Sequence, residues 1–224
     1  MTTSNTAGTL IHPAHGTLYR AARDERRRLA RALSIEADWR FHDGPEWAAR
    51  YWAAFGDLRR DRASAPEMRM AAAQAEREHW STLTATEAAV ARDSFRALLA
   101  LLHPRVVPQA AAADGDGLWP RAMAAYRHGD RETLARLLPE ARPLARHARL
   151  PQAVVALRRE HDRLRAAREH ADRRLAELSQ QFPFCLRDRL ADADWIRRQR
   201  LALRQALALT AAPQSGVVPR KRVS

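Results

Sequence analysis

The sequence has one cysteine, Cys185, in 224 residues. An internal disulfide framework is excluded, and a reducing compartment fits. Lysine is nearly absent: Lys221 is the only one, so arginine carries the positive charge. Glycine is sparse, at 8 residues, and Val and Ile are few beside many Ala, Leu and Arg. That composition disfavours sheets and predicts an all-α fold of helical hairpins. No run of about 18 apolar residues occurs, so no membrane-spanning helix is expected. The first residues lack the charged start and continuous apolar core of a signal peptide, which makes a cytoplasmic location the expectation. Also missing are a Gly-rich phosphate loop, a Ser or Cys nucleophile with a partner, and paired Cys–His metal spacing. The chain therefore reads as non-catalytic, without a cofactor.

What the sequence has in quantity is helix-forming stretches cut by prolines. Residues 1–16 read as a flexible lead. His12 and His15 have a metal-compatible spacing but no Cys or carboxylate beside them. Residues 17–83 read as an N-terminal hairpin region. Leu18, Ala22, Leu29, Ala32, Leu33 and Ala37 make one stripe, with Arg26, Arg27 and Arg28 on solvated positions. Gly44-Pro45 is expected to break this helix and start another carrying Trp47, Tyr51, Trp52 and Phe55. Aromatics at spacings of three to five favour a core face packed on the preceding helix. With Arg50 interleaved, a nucleic-acid surface is the alternative. Ser64-Ala65-Pro66 interrupts the pattern again before Trp80 and Leu83.

Residues 84–140 organise the chain. Val90, Phe95, Leu98, Leu99 and Leu102 predict an amphipathic helix with Arg92 and Arg96 on its other face. It starts near Thr86-Glu87, and Pro104 ends it at His103. Pro108 and the run 110–117 predict irregular backbone. Asp114-Gly115-Asp116-Gly117 is a fragment of a calcium loop without its later ligands, so a plain loop is expected. Trp119, Met123 and Tyr126 open a second helix, Gly129 stops it, and Asp130 caps a short third. Flanking helices are expected to hold this finger out.

Phe95-Arg96-Ala97-Leu98 followed by Leu102-His103-Pro104-Arg105 resembles the second helix and loop of a J-domain. There, an aromatic-Arg-x-Leu run precedes a His-Pro-Asp loop at this distance. Trp119 and Ala125-Tyr126 resemble that family's third helix, and Trp80 and Leu83 its first. The resemblance implies a helical hairpin that binds a DnaK-type heat-shock chaperone ATPase through Arg92, Arg96, His103, Pro104 and Arg105. The loop departs from the family at Arg105, which stands where the Asp would engage an arginine of the ATPase. Like charges and a lost charge-assisted hydrogen bond there cost roughly 1–3 kcal/mol each. The implied role is a co-chaperone or a degenerate adaptor.

Residues 141–210 read as a long helix from about Pro151 to Gln181 plus a returning helix. Leu157, Leu164, Ala171 and Leu178 recur every seven residues, but His161 and Arg168 occupy the alternate seam positions. An intramolecular helical partner fits better than a self-sufficient zipper. Phe182-Pro183-Phe184 is an apolar hinge, with Cys185 read as a small packed residue. Asp192 or Asp194 caps a final helix that can fold back on the long one. Its ending resembles that of some bacterial J-domain-like proteins built on coiled coils. Residues 211–224 read as a disordered basic tail.

The net charge is +13. Through His103 there are 15 basic and 13 acidic residues, or +2, against 24 and 13 afterwards, or +11. That excess keeps two other readings open: nucleic-acid binding by the basic C-terminal half, and a helical scaffold or oligomerisation module.

Overall fold

The computed structural model describes residues 13–58, 80 and 82–211, and every regular element among them is helical. The readings of residues 1–12, of the interruption at Ser64 and of the tail beyond 211 lie outside these residues. Two helices of 26 residues each, α1 (Pro13–Asp38) and α7 (Val154–Ser179), form the most extensive interface. Their apolar stripes meet as read from sequence: Ala22, Leu29 and Leu33 on α1, with Leu157, Leu164 and Ala171 on α7, are all buried. Ion pairs flank this seam. Arg26 meets Glu160 at 3.4 Å, Arg168 meets Glu25 at 2.6 Å, and Arg174 meets Glu36 at 3.0 Å. Residues 25 and 26 of α1 meet residues 160–168 of α7, residue 36 meets 174, and Trp39 beyond α1 stacks on Phe184 beyond α7, so the pair runs parallel. The polar seam position Arg168 is thus matched by charge rather than by a second apolar residue. Arg26 is not solvated as its place in the Arg26-Arg27-Arg28 run implied. It lies under the interface and also donates to the Ala148 carbonyl.

Gly44-Pro45 does not break the first helix, and no hairpin forms there. Asp43 and Gly44 both keep helical backbone angles. The chain passes from α1 through a π-helical turn, Trp39–Asp43, directly into α2 (Gly44–Phe55). A proline ring collides with the carbonyl four residues back, and a π turn widens the helix at such a point. Gly44 donates its N–H to the Trp39 carbonyl, five residues back. A Cβ on Gly44 would run into that oxygen and press on the Phe184 ring.

The finger is α3 (Ala85–Leu102), α4 (Pro108–Ala112), α5 (Leu118–His128) and α6 (Arg131–Ala141). Its start lies two residues before Thr86. Thr84 is the N-cap, and it forms a reciprocal capping box with Glu87. Phe95, Leu98, Leu99 and Leu102 are buried as expected, but Val90 is 49% exposed and Ala91 takes the core position. The stretch read as irregular after Pro108 is a short helix, because Val106, Val107 and Ala110 are fully buried there. The Asp114 carboxylate accepts the first N–H groups of α5, from Leu118 at 2.8 Å and Trp119 at 2.9 Å. Gly129, at φ 68°, ends α5, and Trp80 lies against it so closely that a Cβ would strike the indole. Asp130 caps α6. The finger is not held out: α1, α3, α5, α6 and α7 share one buried apolar cluster.

A second cluster joins α2 to the end of the chain. Tyr51 and Phe55 pack with Leu190 of α8 (Arg187–Leu190) and with Trp195 and Ile196 of α9 (Ala193–Ala211). The aromatic run on α2 is therefore a core face, as its spacing favoured, but it is covered by α8 and α9 and not by the preceding helix. Asp192 caps α9. The returning helix makes its principal contacts with α8, α2 and the turn at Gly56–Leu58, where Arg200 pairs with Asp57. Phe184 stacks on Trp39 at 4.8 Å and carries the chain across the end of α1. Cys185 is exposed, not packed, because its neighbours Phe184 and Leu186 take the inward positions.

Candidate partner-binding site at the His-Pro corner

The corner joining α3 to α4 is built by local bonds. Leaving the helix at His103 (φ −65°, ψ 127°) is what the following Pro104 demands. The His103 imidazole then turns back, and its Nδ1 accepts the Arg105 N–H at 3.0 Å. Nδ1 is thereby fixed as the acceptor, so Nε2 carries the proton of the neutral ring. The imidazole meets the Trp119 indole edge-on at 4.8 Å. Burial, and then the Arg105 charge, push the His103 pKa down to about 4, so the ring is neutral at ordinary pH.

Behind the corner the rings form a column. Phe95 stacks on Tyr126 with centroids 3.8 Å apart and planes 7° from parallel. Trp119 lies 5.9 Å from Phe95 on a near-parallel plane. The Tyr126 hydroxyl donates to Asp38 at the end of α1. Burial lifts the Asp38 carboxyl above its usual range, against the opposite pull of Tyr126 and Arg92. Trp80 donates its indole N–H to the Tyr126 carbonyl at 3.0 Å. His42, from the π turn, sits 3.7 Å from the Trp80 ring and 4.8 Å from the Tyr126 ring. Both of its ring nitrogens are buried, and neither has a hydrogen-bond partner among the described residues.

The five residues implied as partner-binding do not share one face. Arg92 is turned inward. Its Nε lies 3.6 Å from Asp38, and its guanidinium sits 5.5 Å over the Trp80 ring. Arg96 is half-exposed and pairs with Asp93 at 3.1 Å. Pro104 and Arg105 are exposed. His103 and Arg105 line a recess of about 230 Å³ whose walls include Glu36 of α1, Arg40 and Phe41 of the π turn and Arg174 of α7. Arg96 lines a different recess, alongside residues 19–31 of α1.

The residues that fix the corner were not recognisable in sequence. Arg163 of α7 donates to the Arg105 carbonyl at 2.8 Å and the Val106 carbonyl at 3.3 Å. Its guanidinium is held by both oxygens of Glu160, each at 2.8 Å, and Glu160 also meets Arg26. Burial raises the Glu160 pKa, but Arg163 and Arg26 outweigh it and hold the carboxyl below its ordinary value. Arg163 lies 58 residues from Arg105, and nothing local marks it. Among the described residues no cluster of His, Cys, Asp and Glu could hold a metal ion, and no helix is long and apolar enough to cross a membrane. No family model matches this chain, and no curated protein or solved structure matches it either.

Proposed function

We propose that this chain is a J-domain-like adaptor of a DnaK-type chaperone ATPase, non-catalytic itself and altered at its loop. The face-to-face stack of Phe95 on Tyr126 supports the reading. These two positions carry the resemblance, and they join the two helices that the His103-Pro104 corner connects. Trp119, the third aromatic of the motif, lies in the same column. Pro104 and Arg105 are the exposed tip. The tip is positioned by Arg163 from behind, so it is presented as a fixed shape. Arg105 carries the wrong charge for the arginine that the family's Asp engages, which argues for docking without stimulation.

ATP turnover of a DnaK-type chaperone tests this. The wild-type chain should change turnover little, and Arg105→Asp should raise it. Binding measured in parallel separates docking from stimulation. If Arg105→Asp neither binds nor stimulates, the reading fails.

A further inference from the structure

Between residues 19–31 of α1 and the outer side of α3 lies a cleft of about 1020 Å³. Its rim carries charge of essentially one sign. Arg23, Arg27 and Arg31 stand one helical turn apart on α1, so their guanidinium groups form a row about 12 Å long. Arg96 lines the opposite side and Arg149 completes the rim, while Asp93 is the one lining carboxylate. Arg23, Arg31 and Arg149 have no carboxylate partner among the described residues. Arg27 has only a loose pair with Asp24 at 3.8 Å, with both groups more than half exposed. The buried Nε of Arg26 at the base has no acceptor among the described residues. The floor is apolar: Ala30, Ala100, Leu101 and Leu150, with Ala97 on the wall.

We propose that this cleft docks an acidic amphipathic helix of a protein partner, with Asp or Glu at i, i+4 and i+8 beside a stripe of leucine-sized residues. Such carboxylates repeat at the pitch of the Arg23, Arg27, Arg31 row, and the apolar stripe covers the floor. The chain's own remaining segments do not match. Residues 59–79 hold five arginines against four acids, and residues 212–224 hold Arg220, Lys221 and Arg222 with no acid. A second copy, at a net charge of +13, is repelled. A nucleic-acid strand would leave the apolar floor unused and find one aromatic, Tyr19, to stack on. The proposal does not rest on the chaperone reading: of the five residues implied there, only Arg96 lines this cleft, and His103 and Arg105 line the other recess.

The test uses the full chain and a fluorescein-labelled synthetic helix of about 20 residues, long enough to hold helical structure. The helix carries Glu at i, i+4 and i+8 and leucines on the adjoining face. Fluorescence anisotropy should show saturable binding. Replacing the Glu residues by Gln, or introducing Arg27→Glu with Arg31→Glu, should weaken it about tenfold or more. Ala97→Glu, an exposed site on the groove wall, should weaken it as well. Far-UV circular dichroism checks folding. If the double Glu variant loses helicity, Arg27→Gln with Arg31→Gln decides. Absence of saturable binding overturns the proposal, as does affinity indifferent to the arginine changes. Tighter binding of a labelled DNA duplex with the same arginine dependence would reassign the groove to phosphate.

Discussion

His42 shows how one side chain can tie the fold to pH. Burial, and then the neighbouring Arg92 charge, lower its pKa to about 3. The Phe41 carbonyl pulls weakly the other way without making a hydrogen bond of normal geometry. In the unfolded chain the ring titrates near 6.5. Between these values the unfolded state binds the extra proton, so folding stability falls as pH falls from about 6.5. His103 adds the same sign over its own window, down to about 4. Each histidine contributes a slope of up to about 1.4 kcal/mol per pH unit. Asp38 and Asp43, both raised by burial, act oppositely just above the ordinary carboxyl range, where the folded state holds the extra proton. The aspartates oppose the histidine slope, so the His42 share is read as the difference between variant and wild type between about pH 6 and 5. His42→Phe keeps a ring against Trp80 and Tyr126 and removes two unpartnered nitrogens. It should raise stability and reduce the slope in that window by one histidine's share, measured by denaturant unfolding across pH. An unchanged slope would show that His42 does not take up a proton on unfolding.

At the scale of elements, the parallel pair of α1 and α7 clamps the His-Pro corner. Glu160 takes Arg163 on one side and Arg26 on the other, while Arg163 reaches the backbone of the corner. Removing Arg163 leaves Glu160 with the longer Arg26 pair alone and takes the donor from the Arg105 and Val106 carbonyls. Arg163→Ala should cost about 1–3 kcal/mol and speed amide exchange around residues 105–107. Lys at 163 should restore part of the stability but not the protection, because one ammonium cannot span the carboxylate and both carbonyls. Hydrogen exchange that stays slow in Arg163→Ala would show that the His103 Nδ1 bond alone holds the turn.

At the scale of the whole molecule, two apolar clusters are connected by one continuous helix. The larger one joins α1, the finger and α7; the smaller one joins α2 to α8 and α9. Ending the chain after Gln181 removes the cover of Tyr51 and Phe55 while leaving the larger cluster complete. The shortened protein should keep a cooperative unfolding transition and bind an apolar dye much more strongly, with a tendency to associate through the uncovered aromatics. Unchanged dye binding and sedimentation would mean that the returning segment does not cover α2 in solution.

Much of this architecture could be read from residues close in sequence. The stop at Pro104, the caps at Asp130 and Asp192 and the apolar stripes of α1, α3 and α7 depend on neighbours within two turns, where proline geometry and hydrogen-bond reach act directly. Periodicity set Phe95 on an apolar helix face and Trp119 and Tyr126 on the next helix, but their stacking into a column was decided by the tertiary structure. Gly44-Pro45 misled, because the same pair that ends many helices is also accommodated by a single wide turn when Phe184 packs against it. Composition and local periodicity by themselves determined that the chain is helical and where most helices begin and end. Only the tertiary structure decided that α1 pairs in parallel with α7 and that Arg26 is half-buried between them and residue 148. It likewise set Arg163 behind the His-Pro corner and gathered the arginines of α1 along one cleft. The reason is physical: an apolar stripe specifies that it must be covered, but any helix with a matching stripe can cover it. The choice among them is made by ion-pair register and chain connectivity over more than a hundred residues.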